Sequence, residues 1–178
     1  LAADDCLRSL ALDWFVLRPA LIYGHSGTSA KLFMVLARLP LLPVIGSGEQ
    51  AVQPVHIRDV VDSVLACLVT EQTRQTLDIV GAETLTFKQW LHTLRAAQGL
   101  APTRTLNIPL RLALAATEVG RHFSPLLHPD NLRMLQAGYQ GETQAFNALL
   151  GRRPLAFAPE LLQQDASTAQ TGSTPCSI

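Results

Sequence analysis

Five histidines, fourteen carboxylates and three cysteines are the groups in this 178-residue chain best suited to chemistry. Cys6, Cys67 and Cys176 lie far apart, with no Cys-x-x-Cys or Cys/His cluster, so the spacing supports neither a zinc site nor a disulfide framework. A reducing, cytoplasmic setting is the expectation that follows. His25, Ser26, Gly27, Thr28 and Ser29 form a loop that opens a helix. Backbone N–H groups at such a start could hold an anion, with Ser26 and Thr28 as contacts. Capping alone also explains the hydroxyls there. Lys31 is the one lysine nearby, placed either to reach the same ligand or to sit in solvent. His56 stands at a strand-to-helix junction, where it serves a structural hydrogen bond or touches a ligand. Asp59 caps the following helix or pairs with Arg18 or Arg58. As a catalytic acid it would want a second carboxylate, and Asp62 lies one turn along on an exposed face. Ser26 or Ser29 with His25 or His56 and Asp59 has the composition of a hydrolase triad, but no Gly-x-Ser-x-Gly elbow accompanies it. None of these residues is assigned a catalytic part.

The elements that must position these groups follow from periodicity. Residues 2–12 read as the end of an amphipathic helix with Cys6, Leu7, Leu10 and Ala11 on one side. Trp14, Phe15, Val16 and Leu17 make a continuous apolar run, the mark of a strand covered on both faces. Pro19 cannot donate to a ladder and ends it. A helix is expected over 29–39 with Leu32, Phe33, Val35, Leu36 and Leu39 as its apolar set, stopped by Pro40 and Pro43. Gly46, Ser47 and Gly48 turn the chain into a short extended segment over 51–57. Asp59 opens a third helix in which Val60, Val61, Val64, Leu65, Leu68 and Val69 recur at helical spacing. Residues 76–80 are a strand stopped by Gly81. Thr86 and Gln89 form a capping-box pattern ahead of Trp90, Leu91 and Leu94, with Gly99 as the stop and Phe87 and Trp90 in the core. Beyond residue 105 the strand signal disappears. Residues 109–120, 128–138 and 142–150 read as helices, and residues 163–178 as a disordered tail.

The totals exclude several partners. Fourteen basic residues balance fourteen acidic ones, which gives no electrostatic reason for nucleic acid or a polybasic membrane patch. The run from residue 32 to 45 is interrupted by Arg38, Pro40 and Pro43 and is too short to span a bilayer. Hydrophobic residues make up 48% of the chain and charged residues 16%. With zero net charge and a mean hydropathy of +0.20, some apolar surface is expected to want a partner.

Three stretches resemble the extended and atypical short-chain dehydrogenase/reductase superfamily, which holds the NAD-dependent epimerases and dehydratases. They are Leu17-Arg18-Pro19-Ala20-Leu21-Ile22-Tyr23-Gly24, the glycine turn at residues 43–50 (PVIGSGEQ), and Pro54-Val55-His56-Ile57-Arg58-Asp59-Val60. They are similar to the family's Arg-Pro-x-x-x-Tyr-Gly, its turn before the substrate strand, and its Val-His-Val-x-Asp-Val junction. Together they cover roughly residues 1 to 100. The resemblance implies that Pro19, Ala20, Leu21 and Ile22 lie along the nicotinamide ring of NAD or NADP. It sets Ser26, Thr28, Gln53 and His56 on the substrate side. Two of the family's motifs do not occur in this sequence. One is the Gly-x-x-Gly-x-x-Gly phosphate turn. The other is the Tyr-x-x-x-Lys pair, since Tyr23 and Tyr139 are followed four residues on by Gly27 and Thr143. The pair would fall just upstream of Leu1, which reads as truncation. Where sugar-nucleotide epimerases carry a phosphate-gripping arginine this chain has Val52, with Gln53 beside it, a departure that favours the atypical branches.

The expected fold is therefore α/β: an incomplete Rossmann-like parallel sheet portion (1–100), a helical C-terminal substrate-side region (101–162) and the tail (163–178). The expected function is that of the substrate-side half of an NAD(P)-dependent oxidoreductase or epimerase-like protein. The alternative is a non-catalytic cofactor-sensing or accessory module. The expected partners are the missing N-terminal half of the fold, a small-molecule substrate in the intact protein, and a second copy through self-association.

Overall fold

The computed structural model describes residues 2–24, 27–120, 129–159 and 161. Helix α1 (Ala2–Ser9) leads into strand β1 (Phe15–Pro19), then the two-residue β2 (Ile22–Tyr23) and helix α2 (Thr28–Arg38). Strands β3 (Leu42–Ile45), β4 (Ala51–Val52) and β5 (Val55–His56) follow, then helix α3 (Ile57–Val69), β6 (Gln75–Ile79), β7 (Leu85–Thr86) and α4 (Phe87–Ala97). The chain continues through β8 (Thr105–Ile108), α5 (Leu110–Gly120), α6 (Pro129–Ala137) and α7 (Thr143–Leu150). The expected tail lies outside the described residues.

The strands pair as four two-stranded ladders. β1 with β6, β2 with β5 and β3 with β8 run parallel, and β4 with β7 runs antiparallel. The α/β reading holds, with short parallel sheet pieces between helices. Four strands go beyond the expected set: β2, β3, β7 and β8. Pro43 does not stop at ending a helix. It sits inside β3, opposite Leu106 of β8, at the edge position a donorless residue tolerates. The segment expected over 51–57 divides into β4 and β5, which pair with different partners.

Two apolar clusters hold the elements. The first gathers Tyr23, Phe33, Ala37, Leu42, Val44, Val52, Phe87, Trp90, Leu91 and Leu94. The second is smaller, with Val55, Leu77, Ile79 and Phe146 against Phe15, Leu17 and Val60. Phe87 and Trp90 are core residues, as expected. The capping box on α4 is complete: Gln89 N–H donates to Thr86 Oγ1 at 3.1 Å, and Thr86 N–H donates to Gln89 Oε1 at 2.8 Å. Residues beyond 100 join both clusters, since Phe146 lies in the second and Leu135 and Phe157 pack on the first.

The expected apolar faces of two helices are corrected by the packing. In α2, Phe33 is buried with Ala30 and Ala37, whereas Val35 and Leu39 are exposed. In α3 the fully buried positions are Asp59 and Ser63, and only Val60 of the apolar set packs inward. Val61, Val64, Leu65, Leu68 and Val69 face outward, with Leu65 57% and Leu68 76% accessible. The period is that of a helix, but the inward face is the polar one.

Candidate functional site

Residue types decide how the chain leaves β1. Arg18 lies opposite Asp78 and Pro19 opposite Ile79 in the parallel register. Ala20 N–H then donates to Ile79 C=O at 3.0 Å, and Leu21 C=O accepts from Val55 N–H at 2.9 Å. Pro19, Ala20, Leu21 and Ile22 thus cross from the β1–β6 ladder to the β2–β5 ladder at the carboxyl end of β1. Carboxyl ends of parallel strands, where connections diverge, are where α/β sheets bind ligands. Beyond them Tyr23 is buried, with its ring centroid 5.0 Å from that of His56 at 71° and 5.3 Å from that of Trp90.

His56 is fully buried. It is the N-cap of α3, and its Nδ1 accepts from Arg58 N–H at 3.2 Å. That is the structural hydrogen bond expected of it, and an imidazole accepting at Nδ1 carries its proton on Nε2. Because His56 caps the helix, Asp59 does not. Asp59 does not take Arg18 or Arg58 either. Its Oδ1 pairs with Arg152 at 2.7 Å, and its Oδ2 accepts from Leu155 N–H at 2.8 Å. Arg18 instead pairs with Asp4 at 3.2 Å. Arg152 also reaches Asp62 at 2.6 Å, so a single guanidinium ties two carboxylates of α3 to the segment after α7. Both acids raise the Arg152 pKa further. A hollow of about 390 Å³ beside this node is lined by Ile57, Arg58, Val61, Asp62, Arg152 and Leu155.

Gln53 is 5% accessible, and both ends of its amide are engaged. Nε2 donates to Gly81 C=O at 2.9 Å and Oε1 accepts from Gly141 N–H at 3.2 Å. The contact depends on glycine, since a Cβ at Gly81 would stand 1.8 Å from Pro54 O, and one at Gly141 would stand 2.6 Å from the Asp78 Cβ. Val52 is buried in the first cluster. Thr28 opens α2, but the N-cap is Gly27 and no side-chain cap bond is made there. His25 and Ser26 lie outside the described residues, so the loop and the triad composition built on them do too. Lys31 is exposed.

Sequence reasoning missed the group that faces Arg18. Tyr139 Oη donates to Asp78 Oδ1 at 2.6 Å, and Tyr139 N–H donates to Ala51 C=O at 3.0 Å. Burial and the Asp78 carboxylate push the Tyr139 hydroxyl up to about 12, with Arg18 opposing. The alternation along β6 held the only signal: Leu77 and Ile79 point inward, so Asp78 must point to the other face. Among the described residues no group of three or more His, Cys, Asp or Glu could hold a metal ion. No helix among them is long and apolar enough to cross a membrane.

The sequence matches no protein-family model and no curated protein. Solved structures do match by fold. The UDP-glucose 4-epimerase of Thermotoga maritima, solved with UDP-glucose, superposes with a TM-score of 0.63 at 18% identity, covering 96% of this chain and 51% of that one. A human epimerase family protein solved with NADPH gives 0.66 at 21% identity, covering 86% and 48%. The UDP-glucuronic acid 4-epimerase of Bacillus cereus, solved with UDP-glucuronic acid and NAD, gives 0.58 at 15% identity, covering 92% and 47%. The chain spans about half the length of these structures. Its fold is that of the corresponding half of NAD(P)-dependent epimerases and dehydratases.

Proposed function

We propose that this chain is the substrate-side half of an NAD(P)-dependent oxidoreductase or epimerase-like protein. The observation that carries the reading is the path of residues 19–22 across the carboxyl end of β1, in a chain whose fold matches half of such enzymes. Pro19, Ala20, Leu21 and Ile22 would lie along the nicotinamide ring, with Ser26, Thr28 and His56 toward the substrate. Gln53 would act on that side by holding the 138–141 segment in place. The glycine turn that receives the pyrophosphate and the Tyr-x-x-x-Lys pair that moves the proton would come from a further segment of the fold. With them, NAD or NADP supplies hydride chemistry and the protein supplies orientation. The division at residue 100 is then one of role, cofactor edge before it and, after it, cover built from β8 and the helices that follow.

A specific observation also supports the second reading, a cofactor-sensing or accessory module. Val52 is buried and Gln53 is already bonded, so the position at which the resemblance expects an arginine offers no guanidinium fork for a nucleotide diphosphate. A small organic substrate, or none, fits this side better than a sugar nucleotide.

Saturation-transfer NMR with NADH tests the proposal on the chain as it stands. The expected result is weak binding in which the nicotinamide protons receive more saturation than the adenine protons. Adenine-dominated transfer would remove the cofactor assignment of residues 19–22. Micromolar affinity in a calorimetric titration would show that the chain already has a complete cofactor site, against the half-fold reading.

A further inference from the structure

Contacts between residues far apart in sequence close a ring that runs through His56. Tyr23 of β2 is the register partner of His56 of β5, and their side-chain rings meet edge to face at 5.0 Å. His56 caps α3, so the first turn of that helix sets Asp59 just beyond it. Asp59 is fully buried, accepts from Leu155 N–H at 2.8 Å and pairs with Arg152 at 2.7 Å. Phe157, two residues past Leu155, then returns to Tyr23 at 5.4 Å and to Trp90 at 5.2 Å. A buried carboxylate is costly unless it is paired and bonded, and this one holds a backbone segment in place. Among the described residues, the Leu155–Asp59 bond is the one that ties the backbone of residues 152–157 to another element.

That segment is a wall. Leu155 lines the outer hollow together with Ile57 and Arg152. Leu155 and Phe157 also line an inner hollow with Pro54, Leu85 and Trp90. The inner one, about 10 Å³, has room for about one water molecule. Trp90 is 1% accessible, and its Nε1–H finds no acceptor among the described residues. Cover alone therefore protects that proton from exchange.

We propose that Arg152 is a positioning residue for the substrate side of this protein. By balancing the Asp59 charge it keeps the carboxylate on Leu155 N–H. Phe157 is thereby pressed on Tyr23 and Trp90, and Tyr23 is set edge-on to His56. Without Arg152, a buried and unpaired carboxylate would turn toward water and release Leu155. A guanidinium suits the task better than an ammonium, because its fork spans Asp59 and Asp62 of the same helix. Placing His56 on the substrate side rests on the functional reading above; the ring of contacts does not.

The test is NMR of the 178-residue chain carrying Trp14→Phe, in which Trp90 is the single indole. In Arg152→Ala the Trp90 Nε1–H should exchange at least tenfold faster, and the Tyr23 and His56 ring resonances should shift. The Leu42 amide, bonded to Arg104 C=O within the same cluster, should keep its protection. Arg152→Lys should recover part of the Trp90 protection, and Asp62→Asn, which leaves the Asp59 pair in place, should keep most of it. Unmoved Tyr23 and His56 resonances in Arg152→Ala overturn the proposal. Equal acceleration at Leu42 overturns it too, since Arg152 would then support the cluster as a whole. If Arg152→Ala does not fold, Arg152→Met keeps the aliphatic stem and removes the charge, with the same results expected. Failure of both to fold makes Arg152 a general support and rejects the positioning role. NADH saturation transfer to the unaltered chain reads the functional proposal separately. Its absence, with the Trp90 and His56 effects present, removes that reading and keeps the placement of Tyr23 and His56 by Arg152.

Discussion

Tyr139 is held in its protonated form by burial and by the Asp78 carboxylate, which accepts a hydrogen bond from its hydroxyl at 2.6 Å. Its hydroxyl is raised to about 12 from an unfolded value of 10.0. The folded state therefore binds this proton more tightly. The resulting stability is complete below pH 10 and is lost as pH rises through 10 toward 12. Comparing the alkaline melting of the chain with that of Tyr139→Phe isolates this contribution. The difference should shrink steadily above pH 10, and a difference independent of pH would remove the Asp78 contact. The residue scale is also where the sequence was least readable. The capping box at Thr86 could be read because it is local, whereas the cap of α3 was expected at Asp59 and lies at His56. The partners of Asp59 and Gln53, Arg152 and Gly141, lie some ninety residues away in sequence, and only the assembled fold brings them together.

Helices were readable as elements because their period is written in consecutive residues, and α4 through α7 fall within two residues of where the pattern puts them. The Thr86–Gln89 box shows the strength of such signals. Thr86→Ala should cost about 1 kcal/mol, or ~2–4 °C in melting temperature for a chain of this size. Thr86→Ser should recover most of it, and an unchanged Thr86→Ala melt would mean that the box contributes nothing. The inward face of a helix is a different matter. Helix α3 reads as apolar at Val61, Val64, Leu65 and Leu68, but the second cluster takes Val60 while Asp59 and Ser63 are buried. Periodicity reports that a face exists and is silent on what covers it. Short strands leave even less trace. In β8, Leu106 and Asn107 are both exposed, so no alternation marks the strand, and its partner β3 contains a proline that argues against pairing.

At the scale of the molecule, the α/β class was legible. Three short motifs fall between residues 17 and 60, and two motifs of the family they resemble do not occur in the sequence. The two separate clusters were not legible. The first is built on α2, α4, β3 and β4, and the second on β1, β6, β5 and α7. They should melt separately. In a Trp14→Phe background, Trp90 alone reports the first cluster. Leu77→Ala, at a 2% accessible site in the second, should lower the earlier calorimetric transition by ~2–5 kcal/mol. The Trp90 transition should stay within about a degree, and a single shared transition would show one cooperative core. Residues 19–22 bear directly on this. Phe15 and Leu17, on one side of them, belong to the second cluster, while Tyr23, on the other, belongs to the first. Within them Leu21 packs on the first cluster and Ile22 on the second, which makes the segment the pin between the two bodies expected to unfold separately. A ligand lying along that pin would grip both bodies at once, and its occupancy would be read as the merging of two melting events into one.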